Sequence, residues 1–214
     1  MKKSILVAVT HTGNTATGLE AKLSSWIYEY DCSAELYFSN INPTYSNRNT
    51  CVKYFLQTKH THLLFIDSDT IPFKNPLKLI EHDKHIVGGV YPRWKSNNYE
   101  WLVMDRLKDG RYVQVKPEKR GGLTECDGLG AGCLMMTREV LESMKAPFKD
   151  AIDEEGIRSI GHDFLFCERA KKKGYKVFAD WNILCDHIKL VPLVAIIKTI
   201  KQAYDNGYKA GKKE

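Results

Sequence analysis

The run His62-Leu63-Leu64-Phe65-Ile66-Asp67-Ser68-Asp69-Thr70 sets two carboxylates, spaced i and i+2, at the end of an apolar stretch. Four consecutive apolar residues predict a strand buried on both faces. Side chains alternate along a strand, so Asp67 and Asp69 project to one side if the extended geometry continues through Ser68. Two neighbouring carboxylates repel, and one resists ionising unless a cation or hydrogen-bond donors offset the charge. In open α/β sheets ligands bind beyond the carboxyl ends of strands, which is where this pair falls. The pair reads either as a site for a divalent metal bridging to a phosphorylated ligand, or as a turn in which Asp and Ser bond local backbone.

Three later features bear on it. Gly130-Ala131-Gly132 opens an apolar strand, and glycine there permits close approach of a ligand or of another chain segment. Gly161-His162-Asp163 begins a helix after a polar loop, with Asp163 either a helix N-cap or a general base displayed at the helix start. Asp186-His187 ends a strand-like stretch, where a neutral imidazole either completes a metal site or serves as a hydrogen-bonded structural residue.

The elements that must position these groups follow from hydrophobic periodicity. Residues 4–10 predict a first strand, 16–30 a helix, and 33–39 an alternating second strand. Ser46 or Asn47 is placed to cap a helix running to about Lys59, followed by the 61–67 strand, a helix near 76–83 and a strand from His85 to Val90. Strand–helix repetition implies an α/β protein with a parallel sheet and crossover helices. Residues 99–105 and 111–117 alternate around Asp109-Gly110, a hairpin signal. A strand at 131–136 leads into a helix at 137–145, and 146–160 reads as a long polar loop. A helix from near Asp163 to Gly174, strands at 175–179 and 182–186, and a terminal helix at 191–207 complete the pattern.

The chain has 214 residues, 43% hydrophobic and 27% charged, which suits one soluble globular domain. Its six cysteines form no C-x-x-C pair, arguing for reduced thiols and a cytoplasmic setting rather than a disulfide framework. The apolar run Ile5 to Val9 is too short for a signal core, and no segment is long enough to cross a bilayer. The net charge of +6 is concentrated: residues 106–120 carry six basic and two acidic side chains, and 198–214 five lysines against Asp205 and Glu214. A near-neutral body with basic appendages implies either an anionic partner or simply a solvated hairpin and tail.

Taken in order, the strand-ending D-x-D, the Gly-x-Gly strand, Gly161-His162-Asp163 with Phe166-Cys167-Glu168-Arg169-Ala170 and Gly174-Tyr175, and the exit His187-Ile188-Lys189 resemble the GT-A glycosyltransferases. The resemblance is closest to the compact inverting type that uses nucleotide-diphosphate sugars. It spans residues 4 to about 189, implying a GT-A, Rossmann-like α/β domain over 1–189; the basic helical tail over 190–214, read from its own pattern, lies outside the resemblance. One departure is visible: where the family has Glu-Asp, this chain has His162-Asp163.

Residue by residue, the resemblance implies that Asp69 and His187 bind the cation, Mn²⁺ or Mg²⁺, and that Asp67 meets the ribose or the metal through water. Thr10 and His11 would wall the base and ribose, and Arg48 and Asn49 would lie near the nucleotide, with Ser68, Gly130 and Gly132 also on the donor side. Asp163 would be the general base, and Tyr91, Arg93, Trp94 and His162 would contact the acceptor. The donor implied is a UDP-sugar, and single displacement implies inversion. Acceptors in keeping with the charge placement include hydroxymethylated pyrimidines in DNA, beside saccharide, lipid-linked or protein hydroxyls. An idle sugar-nucleotide-binding module and a nucleotidyltransferase are the alternatives, the latter disfavoured because Thr12-Gly13-Asn14-Thr15 is a poor phosphate loop. Oligomeric state is not specified.

Overall fold

Ile5, Val7 and Val9 pack on one side of a central sheet and Leu6 and Ala8 on the other, and Leu64 and Ile66 are separated from Leu63 and Phe65 in the same way. These short apolar runs are thus strands buried on both faces, between two layers of helices. The computed structural model describes residues 2–95, 98–115 and 122–189 and, in the tail, 194, 196–198, 200–202 and 204.

The elements in chain order are β1 (Ser4–Thr10), α1 (Leu19–Glu29), β2 (Ser33–Ser39), α2 (Thr44–Gln57), β3 (His62–Asp67), β4 (Thr70–Pro72), a 3₁₀ helix (Pro76–His82) and β5 (Ile86–Val90). There follow β6 (Pro92–Lys95), β7 (Asn98–Trp101), β8 (Val103–Arg106), β9 (Tyr112–Gln114), β10 (Leu123–Cys126), β11 (Gly128–Leu129) and β12 (Cys133–Thr137). Then come α3 (Arg138–Glu142), β13 (Ala151–Ile152), β14 (Arg158–Ile160), α4 (His162–Lys171) and β15 (Val177–His187). The main sheet has the order β10-β15-β5-β12-β3-β1-β2, with β4 added on β15. Pairs β1–β2, β1–β3 and β5–β15 are parallel. Strand β12 enters antiparallel between β3 and β5. The fold class read from the sequence, α/β with a mostly parallel sheet flanked by helices, is the one observed.

Several local readings are corrected. Helix α2 begins at Thr44 with Pro43 in the N-cap position, so neither Ser46 nor Asn47 caps it. The Asn47 amide lies inside the helix and donates to the Ser39 carbonyl instead. Gly161 precedes α4, so Asp163 is not an N-cap. The two expected strands at 175–179 and 182–186 are one strand, β15, with a register shift between Asp180 and Leu184. Residues 99–101 pair with β6 as a separate hairpin, and the expected hairpin is confined to β8 and β9. The polar loop at 146–160 contains the small β13–β14 ladder.

The basic segment 106–120 is described only to Val115, and its last five positions lie outside the described residues. The described positions of the tail are helical. There, Val194, Ile197 and Ile200 are each 63% exposed. No helix among the described residues is long and apolar enough to cross a membrane.

Candidate active site

Strand β4 explains how the distant candidates meet. It leaves Asp69 directly and pairs antiparallel with the end of β15, setting Thr70 opposite His187. The Ile188 amide donates to the Asp69 carbonyl at 2.8 Å, closing the junction. His187 Nε2 then lies 3.5 Å from Asp69 Oδ2. Its other nitrogen, Nδ1, is 2.9 Å from the Pro92 carbonyl, which only accepts, so Nδ1 carries the proton and Nε2 presents its lone pair toward Asp69 in the neutral ring. Lys189 places its ammonium on the same Asp69 oxygen. Burial would raise the Asp69 pKa, but His187, when its ring carries both protons, and the Lys189 ammonium outweigh it and hold the carboxyl down to about 2.

Asp67 ends β3, and Ser68 and Asp69 form a turn, so strict alternation stops there. Both carboxylates nevertheless line one cleft of about 300 Å³ at the carboxyl ends of β1 and β3, together with Thr10, His11, Ser68 and His187. Thr10 Oγ1 donates to Asp67 Oδ1 at 2.5 Å, and Arg48 Nη2 donates to Asp67 Oδ2 at 3.0 Å. With both oxygens engaged, Asp67 is a supported wall of the cleft, and Asp69 is the carboxylate that faces His187. Thr12, Ile41, Thr44, Asn47 and Lys189 also line this cleft and were not among the expected site residues. Only Lys189 carried a signal, through its spacing from His187.

Arg48 is 1% exposed and does not line the cleft. Besides Asp67 it donates from Nη1 to the Ala131 carbonyl at 3.1 Å, and its Nε lies 3.6 Å from Asp163 Oδ1. The Phe65 ring lies 5.0 Å from its guanidinium carbon. Burial works against its charge, but Asp67 and Asp163 more than restore it. Asp163 Oδ2 accepts from the Ala131 amide at 3.1 Å, and His162 Nε2 lies 2.9 Å from Oδ1. Burial would raise the Asp163 pKa, yet Arg48 and His162 bring it down to about 2. Asp163 and His162 line a second pocket of about 160 Å³ with Arg93, Leu102, Gly161 and Phe164.

Of the remaining candidates Arg93 lines the second pocket, and the others make contacts within the protein. Asn49 is clamped to the Phe148 backbone through both ends of its amide, at 2.7 and 3.1 Å, away from the cleft. A Cβ on Gly130 would stand 2.4 Å from Tyr91 Oη, and one on Gly132 2.8 Å from the same atom. The two glycines therefore admit a protein ring, the second of the two readings of that strand. Tyr91 is buried, accepts from the Gly132 amide at 2.8 Å and packs edge-on to His187 at 5.2 Å. Arg93 Nε donates to Glu100 Oε2 at 2.7 Å, and Trp94 stands opposite Tyr99 in the β6–β7 hairpin and lines neither cavity.

Among the described residues no group of three His, Cys, Asp or Glu side chains could hold a metal by itself. Asp69 and His187 offer two donors, an oxygen and an oriented imidazole nitrogen, and a lysine ammonium already sits on Asp69. That pair suits a divalent cation whose other positions are filled by ligand oxygens and water.

No family model matches the chain, and no curated protein matches its sequence. Among solved structures, A197 from STIV superposes with a TM-score of 0.59 at 21% identity, over 87% of this chain and 86% of that one. That likeness shows a shared fold. More distant are the inositol-1-phosphate CTP transferase from T. maritima, with a TM-score of 0.44 at 16% identity over 90% of this chain and 74% of that one. A UDP-glucose pyrophosphorylase complexed with UDP-glucose has a TM-score of 0.46 at 11% identity, over 95% of this chain and 81% of that one. At these identities the likeness is one of fold, and chemistry must be argued from the site.

Proposed function

We propose that this chain is a metal-dependent glycosyltransferase that moves a sugar from a nucleotide-diphosphate sugar, preferably uridine-linked, to an acceptor hydroxyl with inversion. The observation that carries this reading is a pair of cavities joined by one buried cation. Asp69 and His187 line the cleft of about 300 Å³ and Asp163 the pocket of about 160 Å³, while Arg48 between them contacts both Asp67 and Asp163.

In this reading the larger cleft takes the donor. Thr10, His11, Asn47 and Asp67 border the nucleoside, with Asp67 held rigid by Thr10 and Arg48. A divalent cation held by Asp69 and His187, Mn²⁺ or Mg²⁺, supplies Lewis-acid stabilisation of the negative charge on the departing diphosphate. Lys189, beside Asp69, adds positive charge on the same side. The acceptor hydroxyl enters the smaller pocket, where Asp163 takes its proton as the bond to the anomeric carbon forms, an effect worth typically about 10²–10⁴-fold. A single base on the far side from the leaving group gives one displacement, hence inversion.

A melting-temperature screen of nucleotide sugars with and without Mn²⁺ tests the reading, because a ligand that binds only the folded state raises apparent stability. The expected result is a metal-dependent shift with a uridine-linked sugar that is lost in Asp69→Ala, with nucleoside diphosphate as the product. No shift with any nucleotide sugar contradicts the reading. Pyrophosphate as a product would assign the chain to nucleotidyl transfer instead.

A further inference from the structure

Away from both cavities, the tail holds a set of apolar side chains in water. Val194, Ile197 and Ile200 are each 63% exposed and Tyr204 71%, and Ile196 is exposed beside them. The described tail positions are helical, so these side chains can be placed around one axis. At about 100° per residue, Ile196, Ile200, Tyr204 and Ile197 fall within one arc of roughly 100°. Lys201, Val194 and Lys198 follow in turn along one rim of that arc, and Gln202 continues onto the polar side. An exposed apolar stripe rimmed by polar groups marks a surface that something covers.

We propose that this helix docks the chain on an anionic lipid surface, lying in the plane of the headgroups with its isoleucine face turned toward the acyl chains. Charge selects that occupant. Residues 198–214 carry five lysines against Asp205 and Glu214, so the apolar stripe belongs to a cationic segment. A nucleic-acid backbone would meet the lysines and leave the isoleucines in water. A second copy paired about a two-fold axis would cover the isoleucines but set one lysine rim against another. An anionic bilayer satisfies both features at once. The apolar face enters the acyl boundary, while Lys198 and Lys201 run their stems along it and place their ammonium groups among the phosphates.

Among the described residues no helix is long enough to cross a bilayer, so the contact is one of lying on the surface. It also has a fixed relation to the larger cleft. Lys189 lines that cleft, and the chain from it to Val194 spans at most about 18 Å even when fully extended. A docked helix therefore keeps the cleft within reach of the headgroup layer. The electrostatic part of the attraction is screened by salt, over about 10 Å at 0.1 M but only about 3 Å at 1 M.

The test is co-sedimentation of the full chain with vesicles of phosphatidylcholine and phosphatidylglycerol mixed two to one, set against vesicles of phosphatidylcholine alone. At about 0.1 M salt, binding to the anionic vesicles should be at least about tenfold stronger, and it should fade toward about 1 M. Lys198→Gln should weaken it roughly fivefold. Joint substitution of Ile197→Glu and Ile200→Glu should abolish it even at low salt, with the melting temperature unchanged because both side chains are exposed. No binding to anionic vesicles, equal binding to neutral ones, or binding retained in the double variant overturns the proposal. A lowered melting temperature in the double variant overturns it too, by showing that the face packs within the fold. So does a vesicle-free dimer that the double variant breaks, which would assign the face to a second copy. Vesicle binding does not depend on sugar transfer, so its failure leaves the transferase reading standing.

Discussion

His187 Nε2 faces Asp69 Oδ2 across 3.5 Å because β4, leaving Asp69, pairs with the last residues of β15. The ring is fixed by two contacts outside the pair, the Pro92 carbonyl on Nδ1 and the edge of Tyr91. Lys189 sits on the Asp69 oxygen that the proposed function assigns to a divalent cation, so metal and ammonium would compete for it.

That competition makes a signed prediction. In the absence of donor, Lys189→Ala should tighten Mn²⁺ binding roughly two- to fivefold, the worth of a partly exposed ion pair. The same change should raise KM for the donor, because the lysine's charge is also lost to the diphosphate. Electron paramagnetic resonance titration of free Mn²⁺ reads the first effect and steady-state kinetics the second. Weaker Mn²⁺ binding in Lys189→Ala would show that the lysine assists the metal rather than competing with it.

Arg48 should matter more to stability than any residue lining the cleft. Its guanidinium engages Asp67, Ala131 and Asp163 from within the core. Arg48→Met leaves two carboxylates without their buried counter-ion, at a cost of about 3–5 kcal/mol in urea denaturation. Arg48→Lys should recover little, since one ammonium cannot reproduce three contacts set by a planar fork.

Acid sensitivity follows from the same carboxylates. Asp163 is held at about 2 against an ordinary 3.8, so its folded-state pKa is depressed. The stability it contributes is present above about pH 4 and lost as pH falls toward 2; the shift corresponds to roughly 2 kcal/mol. Asp69, also held at about 2, acts with the same sign but less, because it is 35% exposed and screened by solvent. Denaturation midpoints between pH 5 and 2.5 should fall less steeply in Asp163→Asn than in the wild type, although that variant starts less stable.

Gly130→Ala should destabilise by about 1–3 kcal/mol, since its Cβ would stand 2.4 Å from the hydroxyl of a buried Tyr91. Because Tyr91 packs against His187, the same substitution should weaken Mn²⁺ binding without touching a metal ligand. Thermal denaturation and a Mn²⁺ titration on one sample check both.

The sequence revealed what is local and periodic. The apolar runs 4–10 and 61–67 announce buried strands, and the carboxylates at 67 and 69 announce a site at a strand end. The meeting of His187 with Asp69 was legible only through resemblance, because it depends on the pairing of the three-residue strand β4, too short for any periodic signal. Arg48, expected near the nucleotide, is a buried tie between Asp67 and Asp163 behind the wall of the cleft, and nothing in its helical neighbours announces that burial. Asp150 sits in a polar loop without spacing that links it to His162, so its contact with that ring is visible only in three dimensions. Gly130 and Gly132 spoke of close approach, and tertiary packing decided that the approaching group is Tyr91.

The most direct measurement is release of nucleoside diphosphate from a labelled uridine-diphosphate sugar, followed with and without Mn²⁺ in the wild type and in Asp69→Asn. The account predicts release that requires the metal, is abolished by chelation and falls at least about a hundredfold in Asp69→Asn. Release that proceeds equally well without metal, or survives intact in Asp69→Asn, would contradict it.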